Sequence, residues 1–142
     1  MMSMLDIFNE SANEVFQIAE AYAKENMNAA IEPAHILKAL LHKDIGLVSF
    51  IEKTLDADYY YILEWADMRI KMAKKSSDSS MKSLSALTKA VVNEADSIRS
   101  SFKKESIDPV SLLIAVVTPG VGFTFEQLKT LPLQKESIVA AC

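Results

Sequence analysis

The chain repeats itself. Pro33 and Pro109 stand 76 positions apart. An ungapped shift by that interval lays Val15 on Val91, Ala19 on Ala95, and Ile31-Glu32-Pro33 on Ile107-Asp108-Pro109. It lays Leu37 on Leu113, Ala39 on Ala115, Gly46 on Gly122, Lys53-Thr54-Leu55 on Lys129-Thr130-Leu131 and Ile62 on Ile138. A register that keeps a helix-opening proline, a turn glycine and core alanines without a gap is an internal duplication. The fold must therefore be one supersecondary unit written twice.

The unit is helical. Leu5, Phe8, Ala12, Val15, Phe16, Ala19, Tyr22 and Ala23 recur at three- and four-residue steps, which predicts an amphipathic helix from Leu5 to about Asn26. Pro33 suits the first turn of a second helix, with Glu32 before it and Ile36, Leu37, Leu40 and Leu41 on its buried side. Leu47–Leu55 reads as a short third helix. Asp56 or Asp58 can cap a fourth from Tyr59 to about Lys75, with Ile62, Leu63, Ala66, Ile70 and Ala73 on one side. The polar run Ser76-Ser77-Asp78-Ser79-Ser80 interrupts the pattern, which then starts again. The expected organisation is one all-α domain over 1–142, a pseudo-duplicated bundle of two four-helix repeats. Repeat one covers 5–75, a linker 76–83 and repeat two 84–142. By register Cys142 falls on Ala66, inside the fourth helix of the first copy, so a longer parent polypeptide is expected.

Gly46, Gly120 and Gly122 are the whole glycine supply. No phosphate loop and no dinucleotide-binding fingerprint can be built from them, so no nucleotide site is expected here. The register makes Gly46 and Gly122 equivalent turn residues and Gly120 the extra one. The lone cysteine, Cys142, excludes an internal disulfide framework. A net charge of −4 without a basic run argues against nucleic acid. No apolar stretch is long enough to cross a membrane, and the start lacks the features of a signal peptide. A reducing, cytoplasmic setting is expected. His35 and His42 lie seven apart without the further ligands a metal needs. His35 fits a helix-start residue bonded to nearby backbone, and His42 an exposed residue of the last turn. Serine is abundant, but no nucleophile elbow or partner set accompanies it, so no catalytic residue is nominated.

Ile31-Glu32-Pro33-Ala34-His35-Ile36-Leu37-Lys38-Ala39-Leu40-Leu41 resembles the helix-opening motif of the Clp amino-terminal repeat domain, most closely that of ClpB-type disaggregases. The duplication and the length are similar too, over essentially the whole chain. The resemblance implies a non-catalytic module that recognises unfolded or aggregated polypeptide, or a protein adaptor, for an AAA+ unfoldase. The ATPase modules, with their ATP and magnesium, would follow residue 142. The isolated domain would be monomeric and the parent hexameric. The second copy reads Asp108-Pro109-Val110-Ser111-Leu112-Leu113, without the Glu-His pair of the Thr-Glu-His that ClpC-type domains usually carry in both copies, where acidic residues take part in recognising phosphorylated arginine. ClpB, or the ClpV relative that disassembles a type VI secretion sheath, therefore fits better. A stand-alone Clp-N-like regulator and an unrelated small helical enzyme are the other readings.

The resemblance places a shallow apolar groove between the first helix and the second repeat, near Asn9, Val92, Ile98 and Ser111. Ile98 and Phe102 are four apart and share a helix face, so both join the candidates, although Val92, Ile98 and Phe102 serve equally well as core. Tyr59, Tyr60 and Trp65 suit either helix-start packing or a contact surface, because three consecutive tyrosines cannot all face inward. Met68 and Met72 suit either the core of the fourth helix or an adaptable binding surface. Phe123 and Phe125 flank a turn and rank second.

Overall fold

Helices begin where the sequence supplies caps. In the computed structural model, which describes residues 7–76 and 81–142, every long helix opens on one. Asn9 accepts from the Ala12 N–H and starts α1 (Glu10–Glu25); Pro33 sits at the first turn of α2 (Pro33–Leu40). A π-helical turn (Phe50–Thr54) follows. Asp58 accepts from the N–H groups of Tyr60 and Tyr61 and starts α3 (Tyr59–Met72). Ser85 caps α4 (Ala86–Ser101), Asp108 caps α5 (Pro109–Val116) and Thr124 caps the single turn α6 (Phe125–Leu128). Helix α7 (Lys135–Ala141) closes the described chain. No strand forms among the described residues.

The π-helical turn and α6 differ in type and start, but for the other helices the 76-residue register holds to the residue. Helices α1 and α4 start and stop at equivalent positions, as do α2 and α5, and α3 and α7 start at equivalent positions. Met27 and Lys103, also equivalent, both take positive φ after the first helix of their unit. Helices α2 and α5 lie at the centre, against each other and against α1, α3, α4 and α7. Seven of the eight residues in each are buried. Ile36, Leu37, Leu40, Leu112, Leu113 and Ile114 are fully enclosed, each contributing about 1.5–3 kcal/mol of burial.

The repeats do not stand side by side as closed units. The segment before α1 pairs with the segment before α5, and the segment before α4 pairs with the segment before α2. Phe8 bridges Ile107 and Leu84 bridges Ile31, both parallel. The Asn9 N–H donates to the Ile107 carbonyl at 2.9 Å and the Ser85 N–H to the Ile31 carbonyl at 3.1 Å. The Ile107 N–H donates to Ile7 at 2.6 Å and the Ile31 N–H to Ser83 at 2.9 Å. Every bond of one pair has its counterpart 76 residues on, so the two units exchange straps about a pseudo-two-fold axis. The straps also shorten the expected first helix: Ile7 and Phe8 belong to the strap, Phe8 stacks on Phe16 at 4.7 Å, and the helix begins only at Glu10.

Other expectations are adjusted. The third helix is the π-helical turn. Residues 1–6 and 77–80, including most of the polar run, lie outside the described residues. Lys82 and Ser83 of the expected linker are fastened, the Lys82 N–H to Glu20 Oε2 at 2.8 Å and the Ser83 carbonyl to Ile31. Met68 and Met72 are not core: they are 60% and 81% exposed. Gly46 and Gly122 are equivalent in register but not in role. Gly46 and Gly120 take φ +84°, the left-handed region glycine favours. Gly122 instead lets two elements close, since a Cβ there would lie 2.8 Å from Val91 Cγ2 and 3.1 Å from Pro33 Cβ.

Candidate functional site

Ile98 and Phe102 lie one turn apart on the outer side of α4, where a cleft of about 320 Å³ opens between α4 and α7. Glu94, Ser97, Ile98, Ser101 and Phe102 line the α4 wall and Lys135 and Val139 the α7 wall, with the fully buried Ile114 of α5 beneath them. Ile98 is mostly buried, Phe102 half-buried and Val139 exposed, so the cleft is an apolar trough with one carboxylate and one ammonium on opposite rims.

The equivalent positions of the first repeat differ in chemistry. Ile114 corresponds to Lys38, Ile98 to Tyr22 and Val139 to Leu63. Lys38 Nζ lies 2.8 Å from Asp67 Oδ1 and 4.5 Å from the centroid of the Tyr22 ring. Burial, then the charges of Glu25, Tyr59 and Asp67, push the Tyr22 phenol above its ordinary pKa. A polar bridge therefore occupies these positions in the first repeat, where the second has aliphatic side chains. The second can receive an apolar side chain without breaking an ion pair.

The remaining candidates scatter. Val92 is 2% exposed in the core and Ser111 is 1% exposed, so neither presents a side chain to a partner here. The Ser111 hydroxyl donates to Asp108 Oδ1 at 2.8 Å, completing the α5 cap. Asn9 spends its side-chain oxygen on the α1 cap and stands beside Ile107. Trp65 is buried: its ring meets Phe123 edge-on at 4.9 Å, its Nε1–H donates to Thr130 Oγ1 at 2.8 Å, and the Arg69 guanidinium lies over it at 3.4 Å. It fastens α3 to the second repeat. Tyr59 and the 73%-exposed Tyr60 line a separate cleft of about 440 Å³ with Lys43, Val48 and Glu52. Phe123 is buried and Phe125 exposed. Glu94, Ile114, Lys135 and Val139 were not among the sequence candidates; setting the copies against each other at the Lys38/Ile114 position exposes the floor.

The titratable groups serve the scaffold. The Glu32 N–H donates to His35 Nδ1 at 2.8 Å, so the ring proton sits on Nε2, which donates to Asn28 Oδ1 at 2.8 Å. The Asn28 amide donates in turn to the Ile70 carbonyl. Burial first, then Lys75 and Lys38, hold His35 down at about 4, neutral near pH 7. In the second repeat Ser111 stands where His35 does, and Asp108 takes the place of Glu32. Burial alone would raise its pKa, but hydrogen bonds from Lys104 and Ser111 outweigh burial and keep it below the ordinary value. No three His, Cys, Asp or Glu converge on a metal-sized site among the described residues. No helix among them is long and apolar enough to cross a membrane.

The family model described as the Clp repeat (R) N-terminal domain matches residues 7–131. Among solved structures, the N-terminal domain of the ClpV1 ATPase from the Sci1 type VI secretion system of enteroaggregative E. coli is 21% identical, with a TM-score of 0.78 over 96% of this chain and 84% of that one. The Candida albicans Hsp104 N-terminal domain is 15% identical, with a TM-score of 0.77 over 94% and 87%. A ClpV N-domain in complex with a VipB peptide is 15% identical, with a TM-score of 0.67 over 97% and 90%. Among curated protein sequences, none matches.

Proposed function

The chain belongs to the Clp repeat N-terminal domain family, and on that premise we propose that it is the recognition domain of an ATP-dependent Clp/ClpB-type chaperone that unfolds or disaggregates proteins in the cytoplasm. The domain itself is non-catalytic; ATP and magnesium belong to other modules of a hexameric parent. Its ligand is an exposed apolar segment of unfolded or aggregated polypeptide, or of an adaptor, held in the α4–α5–α7 cleft. The observation that carries this is the apolar lining: Ile98 and Phe102 over the buried Ile114, which stands where the first repeat has the ion-paired Lys38. A trough of this size grips weakly, and several copies on one ring would compound weak grips into useful avidity.

A second reading has its own support. ClpV N-domains stand among the structural neighbours, one of them bound to a VipB peptide. On that reading the cleft selects one amphipathic helix of a sheath component. Methyl NMR on the isolated chain separates the two. Titration with a permanently unfolded model protein should shift the Ile98, Ile114 and Val139 methyls, and Phe102→Ala should weaken binding by roughly tenfold, the value of one partly buried ring. Shifts with a single helical peptide but not with unfolded protein favour the sheath reading. If neither ligand moves those methyls, the cleft is not the recognition site.

A further inference from the structure

The first repeat carries a second, chemically different surface. The segment Met68-Arg69-Ile70-Lys71-Met72-Ala73-Lys74-Lys75 contains four cations and no carboxylate. It is zipped to the turn after α1. The Ser76 N–H donates to the Met27 carbonyl and the Ala29 N–H to the Lys74 carbonyl, both at 2.8 Å, and Asn28 bridges Lys75. That zip places Met27, 55% exposed, at the same end of the domain as Met72, 81% exposed, with Met68 one turn back. Lys24, Lys71 and Lys74 are exposed and meet no carboxylate among the described residues. Glu25, beside Lys24, is the acidic neighbour on α1. Lys75 Nζ is held by the Asn26 carbonyl at 3.0 Å and pairs with no carboxylate among the described residues.

We propose that this methionine and lysine surface docks an acidic segment of a partner protein that carries apolar side chains among its carboxylates. Local positive charge on a chain of net −4 is complementary to an acidic segment. Unbranched, polarisable thioethers adapt to apolar side chains of varied shape. A membrane surface is disfavoured because interfacial binding relies on Trp, Phe and Leu, whereas Trp65 and Ile70 of this helix are buried. The surface is independent of the α4–α5–α7 cleft, which belongs to the other repeat.

The test is NMR of the full chain with labelled methionine methyls, titrated with a synthetic helical peptide of Glu and Leu, with its Lys-for-Glu counterpart, and with phosphatidylserine vesicles. The acidic peptide should shift Met27, Met68 and Met72 together; the basic peptide should leave them in place. Lys71→Glu with Lys74→Glu, and separately Met27→Ser with Met72→Ser, should each weaken binding roughly tenfold or more while the Ile98 methyl keeps its position. All four sites are exposed, so the variants fold. Stationary methionine signals, binding that survives the lysine reversal, or vesicles that shift the same methyls as strongly as the peptide would each overturn the proposal.

Discussion

Replacing His35 with glutamine should remove an acid sensitivity built into the α2 start. The ring is buried, with Nδ1 taken by the Glu32 N–H and Nε2–H by Asn28, and no acceptor awaits a second ring proton. Its pKa is lowered from 6.5 to about 4 in the fold. The unfolded chain therefore binds more protons at this site between those values, and stability must fall as pH drops through that window. The linkage is worth about 2 kcal/mol by pH 5 and about 3 kcal/mol by pH 4, relative to neutral pH, at 1.36 kcal/mol per unit. Asp108, whose pKa is lowered, gives up its own contribution only as pH falls below the ordinary carboxylate range, leaving the upper part of the window to His35. Urea unfolding of wild type and His35→Gln from about pH 7.5 to about pH 4.5 isolates the effect as a difference in slope. Glutamine costs some stability at neutral pH but cannot titrate, so its curve should be the flatter. Parallel curves, or an imidazole titrating near 6.5 by NMR in the folded protein, would refute the assignment.

The glycine roles make a paired prediction: Gly122→Ala should cost about 1–3 kcal/mol by thermal melting because of the Val91 and Pro33 contacts, and Gly46→Ala only about 1 kcal/mol for its φ. A double-mutant cycle of Trp65→Phe and Thr130→Val should give a coupling of about 1 kcal/mol in urea unfolding, the worth of one part-buried hydrogen bond. Asp108→Ala should destabilise by about 1–2 kcal/mol and raise amide exchange across the first turn of α5, whereas Asp108→Asn keeps most of the cap. Lys38→Ile with Asp67→Leu should give the first repeat a hydrocarbon floor; a second set of apolar-ligand shifts near Tyr22 and Leu63 is the expected NMR result, and an unchanged spectrum on titration argues against the floor as the deciding feature.

Much of the fold was legible because duplication doubles every signal. Prolines fixed the starts of α2 and α5, and Asp58 and the register fixed α3 and α7. The misreadings share one cause, that periodicity reports a face but not what it faces. Ile7 and Phe8 continue the apolar spacing of α1 yet form an extended strap, because Asn9 is a stronger stop than their spacing is a start. Met68 lies six positions from Ile62, roughly two-thirds of a turn around the helix, and so falls opposite the buried stripe. A repeat also states how many units exist without stating whether they exchange segments. Of the candidate site, spacing alone brought Ile98 and Phe102 together. Val92 was indistinguishable from core, and Ile114, on a different helix, joined the cleft only through packing.

The reciprocal straps are the arrangement of a symmetric dimer written into a single chain. In a true homodimer each substitution is expressed twice, so a change that opens a binding trough on one side opens it on the other and loosens both halves together. Covalent fusion lifts that restriction. One copy keeps a histidine and an ion pair where the other has Ser111 and Ile114. Division of labour between halves, one conservative and one free to vary, is open to the fused chain and closed to its symmetric equivalent.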